Sequence, residues 1–255
     1  MNRIIAGPNQ VEEAIQAGIP IHVLYIQSGL AQKTAARLFS LAARRDVKTQ
    51  SVDKEMLNSL TGELNHQGVV AICGEFPYRD LDTLLDTLTA DLKKRTLLVL
   101  DQIQDPGNLG AILRSAYSLG AAGVIVTKNR SAQVTAAAVR ASAGASERIP
   151  VVQVVNLVSA MDRLKKAGFY VLGTSLQGST AMDQIKWPDK TAIVLGNEGK
   201  GIRKLTAENC DELFRIPMSS GFESLNVSAA AAIILYSIQQ AQSPPIHRRH
   251  DASFV

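Results

Sequence analysis

The chain has 255 residues, with 27 Lys and Arg against 23 Asp and Glu, a formal net charge of +4 and a hydrophobic fraction of 46%. That balance is ordinary for a globular protein of one large or two smaller domains, and no apolar run is long enough to span a bilayer. MNRIIAGPNQ at the N-terminus lacks the apolar core of a signal peptide, and Cys73 and Cys210 form no CxxC pair. A zinc site and a disulfide framework are thereby disfavoured, and free thiols in a reducing cytoplasm are expected.

Residues 1–75 read as a small α/β unit. A helix is expected over 11–17, stopped by Gly18, and a strand over 21–26. A helix over 30–45 carries apolar Leu30, Leu38, Leu41 and Ala42 and basic Lys33, Arg37, Arg44 and Arg45. Those basic residues form either a solvated face or a face that contacts nucleic-acid phosphates. A strand follows over 47–52, then a helix to Leu60 capped by Asp53, then a strand over 69–73. His66, in the loop 62–68, is more simply a structural polar residue than a base.

Residues 76–95 change character: FPYRD breaks the strand, an amphipathic helix covers 81–92, and a charged run follows. This stretch is the expected inter-domain linker. From Thr96 onward strands and helices alternate. Strands are expected over 97–100, 124–127, 149–154, 169–174, 192–195 and 213–216, and helices over 109–119, 132–143, 157–167 and 224–242. Alternation of this kind implies a parallel sheet covered by helices, so the fold class is α/β. The basic tail 243–255 is expected to be disordered.

Ligands of open parallel sheets sit beyond the carboxyl ends of the strands. Three loops at such positions hold unusual residues: DQIQDPGNLGAILR (101–114), LGNEGKGI (195–202) and IPMSSGFESLNVS (216–228). The last precedes a long apolar helix, with Ser224 or Asn226 placed to cap it. Its free amides and dipole offer a seat for an anion, or only an ordinary helix start. No strand is followed by GxGxxG, the residue after Gly199-Lys200 is Gly201 rather than Ser or Thr, and there is no GxSxG elbow. The four histidines lie outside all three loops, and no metal-ligand cluster is present. What remains is glycine-rich backbone with Asn108, Arg114, Glu198, Ser224 and Asn226, an inventory that binds rather than cleaves. Arg114 falls on the side of its helix away from the apolar stripe, where a solvated arginine is the simpler reading. Glu198, between glycines, has no helix or strand role.

Together the three segments resemble the SpoU/TrmH family of RNA ribose 2′-O-methyltransferases. DPGNLGAILRSA (105–116), IVLGNEGKGI (193–202) and 216–228 look like its three motifs, in order. Gly7, Val11-Glu12-Glu13-Ala14-Ile15 and His66-Gln67-Gly68-Val69-Val70-Ala71 look like its substrate-binding domain, similar to L30e-type RNA binders. The nearest likeness is to the branch that methylates a guanosine of 23S rRNA. The resemblance implies an RNA substrate, a homodimer, and a catalytic domain over 96–242 tied into a deep trefoil knot. It also implies S-adenosylmethionine as cofactor, with no metal. Thr174, Gly196, Ile216 and Leu225 would hold that cofactor. Glu198, Ser224 and Asn226 would shape the catalytic site, with Asn108 and Arg114 facing the RNA. Arg37, Arg44, His66 and Gln67 are the candidate RNA contacts of the N-terminal domain. The competing readings are a non-catalytic RNA-binding or ribosome-assembly factor, and a same-fold enzyme acting on tRNA or on an antibiotic-resistance site of rRNA.

Overall fold

The structure, a computed structural model, describes residues 3–16, 18–62, 65–89, 95–176, 180–219 and 224–242. The expectations for Ala17, for residues 63, 64 and 90–94, for 220–223 and for the tail 243–255 fall outside these residues. Strands β1 (Arg3–Ala6), β2 (Ile21–Gln27), β3 (Thr49–Val52) and β4 (Val69–Cys73) form a first sheet in the order β1-β4-β2-β3. β4 is antiparallel to both neighbours, and β2 and β3 run parallel. Helices α1 (Pro8–Gln16), α2 (Gln32–Arg44) and α3 (Lys54–Thr61) connect them. Asp53 caps α3, accepting from the Met56 amide at 2.8 Å. Six of these seven elements appear where periodicity places them. β1 was not anticipated, being only four residues long and directly followed by Gly7 and Pro8.

Helix α4 (Leu81–Thr89) follows, and then the second sheet. Its strands are β5 (Arg95–Asp101), β6 (Gly123–Thr127), β7 (Val151–Val154), β8 (Tyr170–Thr174), β9 (Thr180–Ala181), β10 (Lys190–Gly196) and β11 (Glu212–Arg215). They lie in the order β7-β6-β5-β10-β8-β11-β9, and every neighbouring pair is parallel. The covering helices are α5 (Pro106–Ser118), α6 (Ala136–Ala141), α7 (Leu157–Lys166), α8 (Lys204–Glu208) and α9 (Val227–Gln242). Side chains alternate across the sheet as the pleat requires. Leu98, Leu100, Ile193 and Leu195 face the core built with α5, α6 and α9. Leu97, Val99, Ala192 and Val194 face the core built with α4 and α7. Burial on both faces is why β5 and β10 read as continuous apolar runs.

Two stretches differ from their expected form. Within the segment 76–95, expected as a linker, the described residues up to Thr89 pack on the second sheet: Leu81, Leu84, Leu85 and Leu88 of α4 are buried in the second core, and the Arg79 amide donates to the Val151 carbonyl at 2.8 Å. The helix expected over 132–143 shrinks to α6 followed by a 3-10 turn at Ala145–Glu147. Ahead of α6, the Ala132 amide donates to the Ile103 carbonyl at 2.8 Å, and Gln133 Nε2 donates to the carbonyls of Lys128 and Ser131. These bonds hold 128–135 as a loop, and small-residue composition alone does not outweigh them. Among the described residues no helix is long and apolar enough to cross a membrane.

Candidate active site

A cleft of about 420 Å³ opens at the carboxyl ends of β8, β10 and β11. Its size lies within the usual range of small-molecule sites. Thr174 closes β8, Gly196 closes β10, Ile216 follows β11, and Ser224 and Leu225 precede α9; all five line the cleft, as does Glu198. The floor is apolar, from Leu195, Phe214, Ile202 and Ala230. At the rim stand Leu176, 64% exposed, and Met218, 39% exposed.

The loop after β10 is held from several sides. The Asn197 and Gly201 backbones exchange hydrogen bonds of 3.1 and 2.7 Å. Asn197 Oδ1 accepts from the Gly199 amide at 3.0 Å, and its Nδ2 donates to the Gln102 carbonyl at 3.0 Å. Beyond the loop, the fully buried Asp101 carboxylate accepts from Arg203 twice, from its amide at 3.0 Å and from Nε at 2.7 Å. The sequence reading assigned no role to Asp101, Asn197 or Arg203. The available signal was an aspartate ending an otherwise apolar strand, where a charge needs a partner.

Three separate segments meet at Glu198. Its Oε1 accepts from Asn108 Nδ2 at 2.8 Å, from Asn226 Nδ2 at 2.6 Å and, more weakly, from the Val227 amide at 3.5 Å. Asn226 Nδ2 also donates to Asn108 Oδ1 at 3.0 Å. Each asparagine is placed by a helix start. Asp105 caps α5 by accepting from the Asn108 amide at 2.6 Å, with Pro106 in the first turn. Asn226 caps α9, its Oδ1 accepting from the Ser228 amide at 2.9 Å and from the Ser228 hydroxyl at 2.6 Å. Cap and loop carboxylate thus share one network, and its loop member lines the cleft.

Arg114 is not brought into that network. It lies exposed on α5, outside the cleft lining, and its side chain has no hydrogen bond or ion pair to another described residue. Among the described residues no group of three His, Cys, Asp or Glu is placed to hold a metal.

The N-terminal candidates separate. Arg37 is half-exposed and pairs with Glu12 at 3.0 Å, and Arg44 and Gln67 are exposed. His66 does not fit an RNA contact: it is buried, its Nδ1 accepts from the Gly68 amide at 3.0 Å, and its Nε2 is 2.9 Å from Asn58 Oδ1. An acceptor Nδ1 leaves Nε2 as the donor, so both ring nitrogens of the neutral ring are used inside the fold. Burial first, and Lys54 second, hold its pKa below the usual histidine value. Below pH ~6.5 the unfolded chain takes up a proton that the folded ring refuses. Stability is therefore full above that pH and falls as acidification proceeds toward the folded pKa. Urea midpoints taken between about pH 7.5 and 5.5 should fall in the natural protein and fall less in His66→Gln.

Comparison with known proteins agrees with this geometry. The profile of the SpoU rRNA methylase family matches residues 95–236, and that of the RNA 2′-O ribose methyltransferase substrate-binding domain matches residues 4–79. A Staphylococcus aureus protein named for the TrmH family of tRNA/rRNA methyltransferases is 36% identical over 252 residues, covering 99% of this chain and 98% of its own. The crystal structure of the SpoU methyltransferase AviRb from Streptomyces viridochromogenes superposes with a TM-score of 0.81 at 27% identity, over 94% of this chain and 90% of that one. The AdoMet-bound rRNA methyltransferase from Sinorhizobium meliloti gives 0.80 at 25% identity, over 95% and 88%. The chain belongs to the SpoU rRNA methylase family. It is an RNA methyltransferase by that membership, with an N-terminal substrate-binding domain.

Proposed function

We propose that the protein transfers the methyl group of S-adenosylmethionine to a ribose 2′-hydroxyl of RNA, the target being a guanosine of 23S rRNA. The observation that carries this reading is the meeting of Asn108, Glu198 and Asn226 at the lip of the cleft. The cleft fits the cofactor. Its floor is apolar, its walls are backbone from the ends of β8, β10 and β11, and Gly196 has no space for a side chain. The solved AdoMet-bound relatives share the fold.

The cofactor supplies an already activated sulfonium methyl, so the difficulty lies with the weakly acidic hydroxyl nucleophile. Thr174, Gly196, Ile216 and Leu225 hold and shape the donor site. Glu198 fixes the two asparagines in one rotamer each. Asn226 and Ser224 orient the hydroxyl for in-line attack, where positioning contributes several kcal/mol. The Arg114 guanidinium offers hydrogen-bond donors and no acceptor, so its role is to anchor a neighbouring phosphate and to stabilise charge developing on the attacking oxygen. The positive end of α9 adds to the same field.

The same reading assigns RNA contacts to the N-terminal domain over 1–75, with Arg37, Arg44 and Gln67 as surface residues, and catalysis to 96–242. It includes the trefoil knot, which the insertion of β10 between β5 and β8 supports. It also includes a homodimer. Tyr117 of α5 and Ile233 and Tyr236 of α9, 45%, 40% and 56% exposed on helices that pack together, support that pairing. A cytoplasmic location goes with the unpaired Cys73 and Cys210, whose thiols burial pushes up to about 11 and about 12.

A tRNA target is the second reading, favoured by relatives named for both tRNA and rRNA. Mapping 2′-O-methyls on rRNA and tRNA from cells with and without the protein decides. Loss of one guanosine methyl in 23S rRNA is expected. Loss confined to tRNA selects the second reading, and no change in either overturns the proposal.

A further inference from the structure

The junction between the two sheets holds a buried ion pair that the proposed chemistry does not use. Arg3 of β1 and Glu147 of the 3-10 turn lie 144 residues apart. Their side chains are 5% and 0% exposed, with Nη1 donating to Oε1 at 2.5 Å and Nη2 to Oε2 at 3.3 Å. The Arg3 guanidinium also stands 5.0 Å from the centre of the Phe76 ring, in the segment that connects the sheets.

Neighbouring contacts reinforce the pair. Arg148 bonds to Glu13 and, at 3.2 Å, to Gln16 of α1. Gly144, at φ +85°, lies so close to α1 that a Cβ there would come within 2.6 Å of the Glu13 side chain. The Tyr78 hydroxyl donates to Gln133 Oε1 and accepts from the Val134 amide, both at 3.1 Å. Beneath these bonds runs one continuous apolar cluster, containing Ile5, Val11 and Ile15 of the first unit and Ala138 and Val139 of α6. Units joined by small polar interfaces move relative to each other by default; a shared core removes that freedom.

What the pair joins matters. β1 packs on α6, and α6 packs on α5, the helix that presents Asn108 and Arg114. We infer that Arg3 and Glu147 are positioning residues that lock the substrate-binding unit onto α5 and α6, so that bound RNA reaches the cleft at one fixed offset. This rests on the proposed RNA methylation for its kinetic consequence, though not for the lock itself. Removing one member of a buried pair leaves an uncompensated charge, whereas replacing both by apolar residues of similar volume is commonly tolerated.

The test compares the natural protein with Arg3→Met, Glu147→Gln and the double variant Arg3→Met/Glu147→Met. Calorimetry should show one unfolding transition in the natural protein, two in each single variant and one in the double variant. In methylation assays each single variant should raise KM for RNA about tenfold, with kcat and the affinity for S-adenosylmethionine unchanged. The double variant should restore KM. Single variants that keep one transition and the natural KM overturn the inference. So does a single variant that loses cofactor affinity, since the pair would then act through the catalytic unit's own folding. Should the natural protein methylate no RNA, the proposed function fails, and the calorimetric result still decides whether the units are locked.

Discussion

Arg114→Ala should lower the single-turnover methylation rate ~1,000-fold and leave S-adenosylmethionine binding within about twofold. The two effects separate because of where Arg114 stands. It is exposed, it lies outside the cleft lining, and its side chain bonds to no other described residue. Removing it therefore disturbs neither the cofactor walls nor the fold. Its distance from Asn108, six residues along α5, is about 9 Å of helix axis. That is a reach suited to a nucleotide laid along the helix rather than to the cofactor. Arg114→Lys keeps the charge but not the planar fork, so it should recover only part of the rate. Rapid-quench kinetics and calorimetry with the cofactor measure the two quantities. Near-natural turnover in the alanine variant would remove Arg114 from the catalytic set.

Gly196→Ala should weaken S-adenosylmethionine binding ~100-fold or more, equivalent to about 3 kcal/mol, and abolish methylation at ordinary cofactor concentrations. A Cβ on Gly196 would lie 2.1 Å from the Gly201 carbonyl carbon and 2.2 Å from the Ile202 nitrogen. Both are backbone atoms of the loop that folds over the end of β10, and they cannot swing aside as a side chain can. The loop must shift, carrying Glu198 and its two asparagines with it. Gly199→Ala is the control: the nearest atom to a Cβ there is Asn197 Oδ1 at 3.7 Å, an ordinary contact, so its melting temperature should match the natural protein. Equal cofactor affinity in Gly196→Ala and the natural protein would show that the loop is not a wall of the donor site.

Much of the fold is visible in the chain itself because its elements are long and strongly patterned. β5 and β10 are apolar runs, α7 has its Asn156 cap accepting from Ser159, and α5 has Asp105 and Pro106 at its start. Such a cap contributes about 1 kcal/mol and marks a boundary in the sequence. The elements that escaped notice are short. β9 is two residues, β1 is four, and α8 is five. They exist because tertiary bonds hold them, and no local signal announces that. Candidate residues show the same division. Asn108, Glu198 and Asn226 stand out as polar residues beside glycines and helix starts, but their convergence depends on β10 lying next to β5, which no local pattern encodes. His66 falls on the structural side of the two readings that its loop position leaves open. A loop histidine looks available, yet a Gly68 amide two residues on and Asn58 in the preceding helix consume both nitrogens.

The sheet order has a consequence for how the protein is made. β10 sits between β5 and β8, each completed earlier in synthesis, and its register with β5 pairs Leu100 with Leu195 across 95 residues of chain. Until β10 emerges, β5 and β8 present unpaired, apolar inner edges to the crowded space around the ribosome. Contacts of such long sequence separation close slowly, and open edges are where chains aggregate. A chain arrested after β8 should therefore aggregate more readily than the whole protein, and refolding of the whole protein should be limited by the entry of β10 into its slot. The cleft comes into being last, with the final strands and α9.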